Sequence, residues 1–147
     1  TDSDGHRLRR DRLQGDAIMG KAFTAKIKGD REVLRRLAAI ERKIPRAIDN
    51  ALHEEALGLE AESAPITPVA DVDGGNLRRS SQIKQIRKGY SVGYYTDYAI
   101  YVHEMTGPGI NWSTPGTGPK FLQKPFEKRL RTMRGRMRRV IKHYLGI

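Results

Sequence analysis

Residues 120–145 read KFLQKPFEKRLRTMRGRMRRVIKHYL, and this stretch determines the C-terminal half of the fold. Its apolar side chains recur at steps of three and four, which is the spacing of one face of an α-helix. The stretch therefore predicts a long amphipathic helix over about residues 120–145. Its predicted apolar face consists of Leu122, Phe126, Leu130, Met133, Met137, Val140 and Tyr144.

The opposite face of this predicted helix is basic. Residues 121–147 carry nine Lys and Arg against Glu127 alone, and this excess accounts for most of the chain's net charge of +11. Solvated helices normally mix both signs, so the excess favours a positive surface that meets a polyanion or an acidic protein. An ordinary solvated helix face is the alternative. The basic face comprises Lys124, Lys128, Arg131, Arg138 and Lys142.

A second helical stripe lies upstream, over residues 31–62. Pro45 interrupts it, and a proline inside a helix removes one backbone hydrogen bond and clashes with the preceding turn. We therefore expect either two helices, over residues 31–43 and 45–62, or one sharply kinked helix. Before them, residues 22–28 alternate between apolar and polar side chains and predict a strand that runs into a helix cap at Gly29-Asp30.

Between the two helical regions, residues 77–87 and 90–96 have the composition of two β-strands joined by a tight turn at Lys88-Gly89. Side chains two residues apart on a strand point to the same side, so Tyr90, Val92 and Tyr94 should share one face. Gly74 and Gly75, which precede the first strand, favour a turn of the chain into it. The arginines that follow them, Arg78 and Arg79, can bind carboxylates or phosphates, or can simply be exposed strand residues.

A short helix should follow over residues 98–104, with Asp97 as its N-cap. We expect Tyr98, Tyr101 and Val102 to face inward, and we interpret His103 as a helix-terminus or interface residue. Residues 105–119 are too rich in glycine and proline for regular structure and predict a long loop. Trp112, the only tryptophan, lies in its middle and either holds the loop against its own domain or docks on a partner.

These elements predict an α+β fold in which a small antiparallel sheet packs against a long kinked N-terminal helical region and a long basic C-terminal helix. A length of 147 residues suits one domain. We place that domain at residues 21–147. Residues 1–20 lack any apolar period, as disordered segments do, and we interpret them as an extended arm that lies on a neighbouring subunit. Its arginines Arg7, Arg9 and Arg10 are interface candidates.

The residue types that carry catalysis or bind metals are not arranged in recognisable motifs. His53 and His103 are each followed by Glu, but neither has the second histidine that a zinc-protease helix carries four residues further on. The chain has no cysteine, which excludes thiolate metal sites. Asp71 and Asp73 are too few for a calcium loop. We predict that the chain is not an enzyme and uses no cofactor. No stretch approaches the roughly 18 apolar residues of a membrane span, so we predict no membrane partner.

Three motifs occur in a fixed order. Thr67-Pro68-Val69 leads through Gly74-Gly75 to Asn76-Leu77-Arg78-Arg79-Ser80. Tyr98-Ala99-Ile100-Tyr101-Val102-His103-Glu104 follows, and Lys120-Phe121-Leu122 precedes the terminal helix. Over residues 21–145 this order resembles the neck, or tail-completion, proteins of long-tailed bacteriophages, which are also called minor capsid or head–tail joining proteins. The chain departs from that pattern by inserting residues 70–72 and by placing Gly74 where a threonine is typical.

The resemblance implies a structural protein of the virion that forms a homo-oligomeric ring between head and tail. Its implied partners are the head–tail connector and tail-terminator proteins, and its ring would surround a channel that carries double-stranded DNA. Unspecific DNA contact would involve phosphates rather than bases. The implied location is the neck of the virion, after synthesis in the bacterial host cytoplasm. The alternative from the residues is a free-standing basic nucleic-acid-binding module that acts through the terminal helix.

Overall fold

The computed structural model describes residues 29–70 and 74–147. The chain divides into two units, Thr1–Leu37 and Ala38–Ile147, and the division falls within the first helix. The predicted arm, the predicted strand over residues 22–28, the domain boundary after residue 20 and the acidic pair of the glycine loop lie outside the described residues. The elements in chain order are α1 (Arg31–Ser63), a 3-10 turn (Ala64–Ile66), α2 (Asn76–Arg79), β1 (Ser81–Ile86), β2 (Gly89–Tyr94), α3 (Ala99–Glu104) and α4 (Gln123–Leu145). They confirm the predicted α+β class.

Helix α1 is a single 33-residue α-helix that contains Pro45, so the alternative of two separate helices is wrong. In the first unit, Asp30 confirms the predicted helix cap, because its Oδ1 accepts a 3.2 Å hydrogen bond from the backbone N–H of Glu32. Glu32 also forms an exposed i,i+4 ion pair with Arg36, in which Nε and Oε1 lie 3.0 Å apart. These contacts satisfy backbone and side-chain groups in the first turns of the helix.

Strands β1 and β2 form a two-stranded antiparallel sheet in which Ile86 is paired with Gly89. The connecting turn is therefore Arg87-Lys88, one residue earlier than predicted. A hairpin alone is marginally stable in water, so this one depends on contacts with a helix. Tyr90 and Tyr94 supply these contacts from one face of β2, as period two predicts. The Tyr90 hydroxyl lies 3.1 Å from each carboxylate oxygen of Asp49, and the Tyr94 hydroxyl lies 2.7 Å from Ser63 Oγ.

The prediction that the first strand begins at residue 77 is wrong, because Asn76–Arg79 form the short helix α2. Gly75 has a positive φ of 84°, which lets the chain turn sharply into this helix. Ser80 ends it, and its Oγ donates a 2.7 Å hydrogen bond to the carbonyl oxygen of Leu77. The turn places the Leu77 side chain in the core, which an extended conformation of the strand would not do.

The core of the second unit is built around Phe121, whose side chain is 1% exposed. Its ring meets the rings of Tyr94 and His103 edge to face, with centroids 5.0 Å apart in each case. Leu77 and Ala99 would be too small to cover this ring alone, and partly buried residues complete the cluster. These residues are Ile66, Tyr94, Val102 and Leu122.

Helix α3 contacts this core through Ala99 and Val102, which lie three residues apart on one side of the helix. Tyr101 lies on the other side and is 71% exposed, so the prediction that it faces inward is wrong. Tyr98 is exposed as well, and Val102 alone of the three predicted residues packs inward. The N-cap is Tyr98 rather than Asp97, and within the described part of the chain no side chain caps the helix.

Helix α4 begins at Gln123, three residues later than predicted, and ends at Gly146 in the left-handed conformation (φ 73°). Lys120 explains the late start, because its φ of 58° cannot belong to a right-handed helix. The backbone N–H of Lys120 instead donates a 2.8 Å hydrogen bond to the carbonyl oxygen of His103. Within residues 29–70 and 74–147, no helix has the length and apolar character that crossing a membrane requires.

Candidate interaction surface

An ion-pair network holds helix α4 against helix α1. Glu55 on α1 accepts two hydrogen bonds from Arg136, with Oε1 2.7 Å from Nε and Oε2 2.8 Å from Nη2. Arg129 bridges Glu55 and Glu62, with Nη2 3.0 Å from Glu55 Oε2 and Nη1 2.6 Å from Glu62 Oε1. Higher numbers on α4 meet lower numbers on α1, so the two helices run antiparallel. The network fixes the position of α4 through geometrically specific, charge-assisted hydrogen bonds.

The side chains of this network are largely withdrawn from solvent. Those of Glu55 and Arg129 are each 13% exposed and that of Arg136 is 24% exposed. The hydrogen bonds from Arg136, with further help from the positive charge of Arg129, lower the pKa of Glu55 despite the opposing effect of its burial. Glu55 therefore stays ionised, and two of the nine basic residues of the C-terminal segment are neutralised within the protein.

A glycine in α1 makes room for this network. A Cβ atom built on Gly58 would clash with the guanidinium group of Arg129 as it is placed. The guanidinium group therefore lies directly against the backbone of α1. Glycine in the middle of a helix costs about 1 kcal/mol relative to alanine. Here that cost accompanies a close approach that any larger residue would force the arginine to give up.

The predicted basic face of α4 is exposed along its whole length. Lys124 and Lys142 are 18 positions apart, which corresponds to about 27 Å of helix. Lys128 Nζ lies 3.9 Å from Glu62 Oε2, the longest salt-bridge distance among the described residues. Among the described residues, the remaining members of the face make no salt bridge, and Arg134 and Arg139 extend the unpaired positive surface. The exposed basic residues of α4 are Lys124, Lys128, Arg131, Arg134, Arg138, Arg139 and Lys142.

The apolar face of α4 is only partly covered. Phe126 is 49% exposed and Leu130 is 56% exposed, although the sequence pattern is typical of a core-facing stripe. Both residues border a cavity of about 440 Å³ between α1, β2 and α4, which we call the helix groove. The groove is open because long Arg and Glu side chains, rather than close apolar packing, join the helices beside it. Its apolar walls include Leu52, Leu59, Val92, Phe126, Leu130 and Met133.

The predicted interface residues near the sheet make internal contacts. Arg78 Nη2 donates hydrogen bonds to the carbonyl oxygens of Thr67 (2.9 Å) and Pro65 (3.3 Å), so this arginine holds the loop that follows α1. Its Nε is buried and has no hydrogen-bond partner among the residues that the structure describes. Arg79 Nη1 donates to the carbonyl oxygen of Gly74 at 2.5 Å. Both arginines thus stabilise the turn between α1 and α2.

Trp112 and His103 also contact their own domain. Trp112 is partly buried, and its Nε1 would lie 3.6 Å from a Cβ atom built on Gly118. Ser113 Oγ donates a 2.9 Å hydrogen bond to the carbonyl oxygen of Val69, which attaches the long loop to the segment after α1. His103 Nδ1 lies 2.8 Å from Glu104 Oε1, and the His103 side chain lines the helix groove. These contacts favour the first of the two roles predicted for Trp112.

The described residues include His53 but not the arginines of the predicted arm. His53 is exposed, and its ring centroid lies 4.9 Å from that of Tyr90. In the described part of the chain, no cluster of three or more His, Cys, Asp or Glu side chains could hold a metal ion. Arg7, Arg9 and Arg10 lie outside the described residues.

The ion-pair network was not predicted from the sequence, although it connects four charged residues, Arg129, Arg136, Glu55 and Glu62. A signal was present, because both the two glutamates and the two arginines are seven residues apart, which places each pair on one face of its helix. No protein-family model, no curated protein and no solved structure matches this chain. The likeness to phage neck proteins therefore stays a prediction from the sequence motifs.

Proposed function

We propose that this chain is a structural subunit of a ring at the head–tail junction of a long-tailed bacteriophage, where it joins head to tail around the DNA channel. The observation that carries the proposal is the exposed basic face of α4, which runs for about 27 Å on a helix anchored by an internal ion-pair network. A channel wall for DNA needs positive charge in a fixed position but no base recognition. The proposed partners are further copies of this chain and the connector and tail-terminator proteins of the same virion.

The internal contacts of α4 suit a mechanical rather than a catalytic role. Arg136 donates hydrogen bonds through two guanidinium nitrogens. Its Nε donates to Glu55 Oε1, and its Nη2 donates to the carbonyl oxygen of Arg129 at 2.8 Å. Such bonds hold the helix, and therefore its outer face, in one orientation. A ring of such subunits would present a rigid surface on which the next ring of the virion could dock. We propose on this basis that the protein is not an enzyme and that its place is the neck of the virion.

Electron microscopy of particles assembled with and without the protein tests this role. We expect particles without it to consist of separate heads and tails, or to lack one ring at the neck. Joined particles of normal appearance would contradict the proposal. Joined particles that lose only their DNA would favour the alternative, a nucleic-acid-binding module that acts through α4.

The basic face should bind double-stranded DNA without sequence preference and with a strong dependence on salt. Replacing Lys124, Arg131 and Arg138 with Gln should reduce the slope of log affinity against log salt by up to about three units, roughly one for each phosphate that is no longer neutralised. Fluorescence anisotropy with two unrelated DNA duplexes over a salt series measures this effect.

A matched control variant carries Gln at Arg42, Lys43 and Arg46, three exposed basic residues of α1. It loses the same net charge, so an equal decrease in slope for both variants would mean that binding reflects overall charge only. In that case the face of α4 would not be the DNA-binding surface.

A further inference from the structure

Helix α3 carries an exposed apolar patch with an acidic neighbour. Ile100 is 67% exposed and Tyr101 is 71% exposed. Glu104 lies on the same helix, but its carboxylate is paired with Lys120 and His103. Asp97 precedes the helix, is exposed, and makes no salt bridge to any residue that the structure describes. We define the α3 patch as Asp97, Ile100 and Tyr101, since two large exposed apolar side chains beside an unpaired carboxylate are typical of a protein-binding surface.

Helix α4 carries a second exposed apolar patch, with the opposite charge. Phe126 and Leu130 lie four residues apart on one face, and Arg134 follows one turn later on the same side of the helix. Glu127 is nearby, and its Oε1 accepts a 2.7 Å hydrogen bond from the side-chain amide of Gln123, so two arginines face one carboxylate and the patch stays positive. We define the α4 patch as Phe126, Leu130, Arg131 and Arg134. Its arginines make no salt bridge within the described residues.

The two patches complement each other in both polarity and charge. We propose that the α3 patch of one subunit docks on the α4 patch of the next copy of this chain, and that this contact is the subunit interface of the ring. The proposal rests on the function proposed above. Because the patches differ, the contact is heterologous, and a docked pair keeps one patch of each kind free, one on each copy, for the next neighbours. A ring requires this kind of contact.

Contacts between like patches are less favourable. Two α4 patches that face each other would oppose Arg131 and Arg134 with the same arginines, and two α3 patches would oppose Asp97 with Asp97. Like charges across an interface cost free energy and select against that pairing. Charge complementarity therefore favours the unlike pair, and it names a second copy of this chain as the occupant of the α4 patch.

Site-specific crosslinking tests the interface, because the natural chain contains no cysteine. The full-length variants Ile100→Cys and Leu130→Cys are mixed and treated with a short flexible bis-maleimide, and the products are identified by intact mass. We expect mixed dimers to exceed dimers of either single variant several-fold. A chain that carries both substitutions should give a ladder of higher covalent oligomers.

The control replaces Ile100→Cys with Leu57→Cys, a cysteine at an apolar α1 residue that is 45% exposed and belongs to neither patch. Equal yields with this control would overturn the proposal, as would a predominance of single-variant dimers. Adding Tyr101→Lys or Arg134→Glu to the double-cysteine chain should abolish the ladder, because each change places like charges across the contact. Because both side chains are exposed, circular dichroism should show that these variants remain folded, and persistence of the ladder in both would also overturn the proposal.

The same double-cysteine chain separates this inference from the proposed function. If it enters joined particles but gives no ladder there, the α3–α4 interface is wrong and the structural role stands. If it gives a ladder in solution while particles form normally without it, the self-association stands and the neck role is wrong.

Discussion

Replacing Phe121 with Ala should lower the free energy of unfolding by about 3–5 kcal/mol, the range observed when a buried aromatic side chain is removed from a core. Phe121 is 1% exposed and lies between the rings of Tyr94 and His103. Its removal leaves a cavity at the junction of β2, α3 and the start of α4. Urea denaturation monitored by far-UV circular dichroism measures the change.

Phe126→Ala is the matched control for this substitution. It removes the same side chain five residues away, but Phe126 is 49% exposed, so we expect a loss of about 1 kcal/mol or less. Equal losses for the two variants would show that the core is not centred on Phe121.

Replacing Glu55 with Gln should lower the free energy of unfolding by about 2–3 kcal/mol, somewhat below the roughly 3–5 kcal/mol for breaking a fully buried ion pair. The substitution keeps the size of the side chain but leaves Arg129 and Arg136 without their shared carboxylate. Glu54→Gln is the control, because Glu54 is exposed and makes no salt bridge within the described residues. Its expected effect is below about 0.5 kcal/mol. Equal effects of the two substitutions would mean that the network contributes little to stability.

The pH dependence of stability provides a second measurement on Glu55. The pKa of Glu55 in the folded protein is lowered from the ordinary value of 4.5. Below pH 4.5 the unfolded chain therefore binds a proton at Glu55 more readily than the folded protein does. The stabilisation is complete above the unfolded pKa and is lost as the pH falls through the folded pKa. The difference in stability between the natural chain and Glu55→Gln should therefore shrink below pH 4.5. A difference that stays constant down to the acid unfolding transition would contradict the ionic origin of the effect.

The regular elements of the fold could be predicted where one pattern repeats over several turns. Helix α4 extends to Leu145, as its apolar stripe predicts, and Tyr90 and Tyr94 lie on one face of β2, as period two predicts. The boundaries could not be predicted where a single backbone angle decides them. Lys120 delays the start of α4, and Gly75 directs the chain into α2 instead of a longer strand. The late start of α4 does not follow from residue type, since lysine seldom adopts a positive φ. A glycine predicts a turn, but it does not predict the short helix α2 that follows the turn.

The candidate surface was predictable in part. The basic face follows from the local excess of charge and is exposed as that excess suggests. The partial exposure of Phe126 and Leu130 could not be predicted, because the same stripe would be expected of a fully buried helix face. The difference arises from Arg129 and Arg136, which join α4 to carboxylates 67 and 81 residues away in the chain. Periodicity identifies the face of a helix but not the distance to its neighbour.

The close approach at Gly58 also sets the alignment of α1 and α4 along their length. Ridges of apolar side chains allow two helices to slide by a turn at modest cost, because one set of contacts replaces another. A slide of one turn here would move the Arg129 guanidinium group from the bare backbone at Gly58 to the level of residues 54–55 or 61–62, where side chains occupy the same face. The glycine therefore favours one register of the two helices, since it leaves room for the arginine at one level along α1.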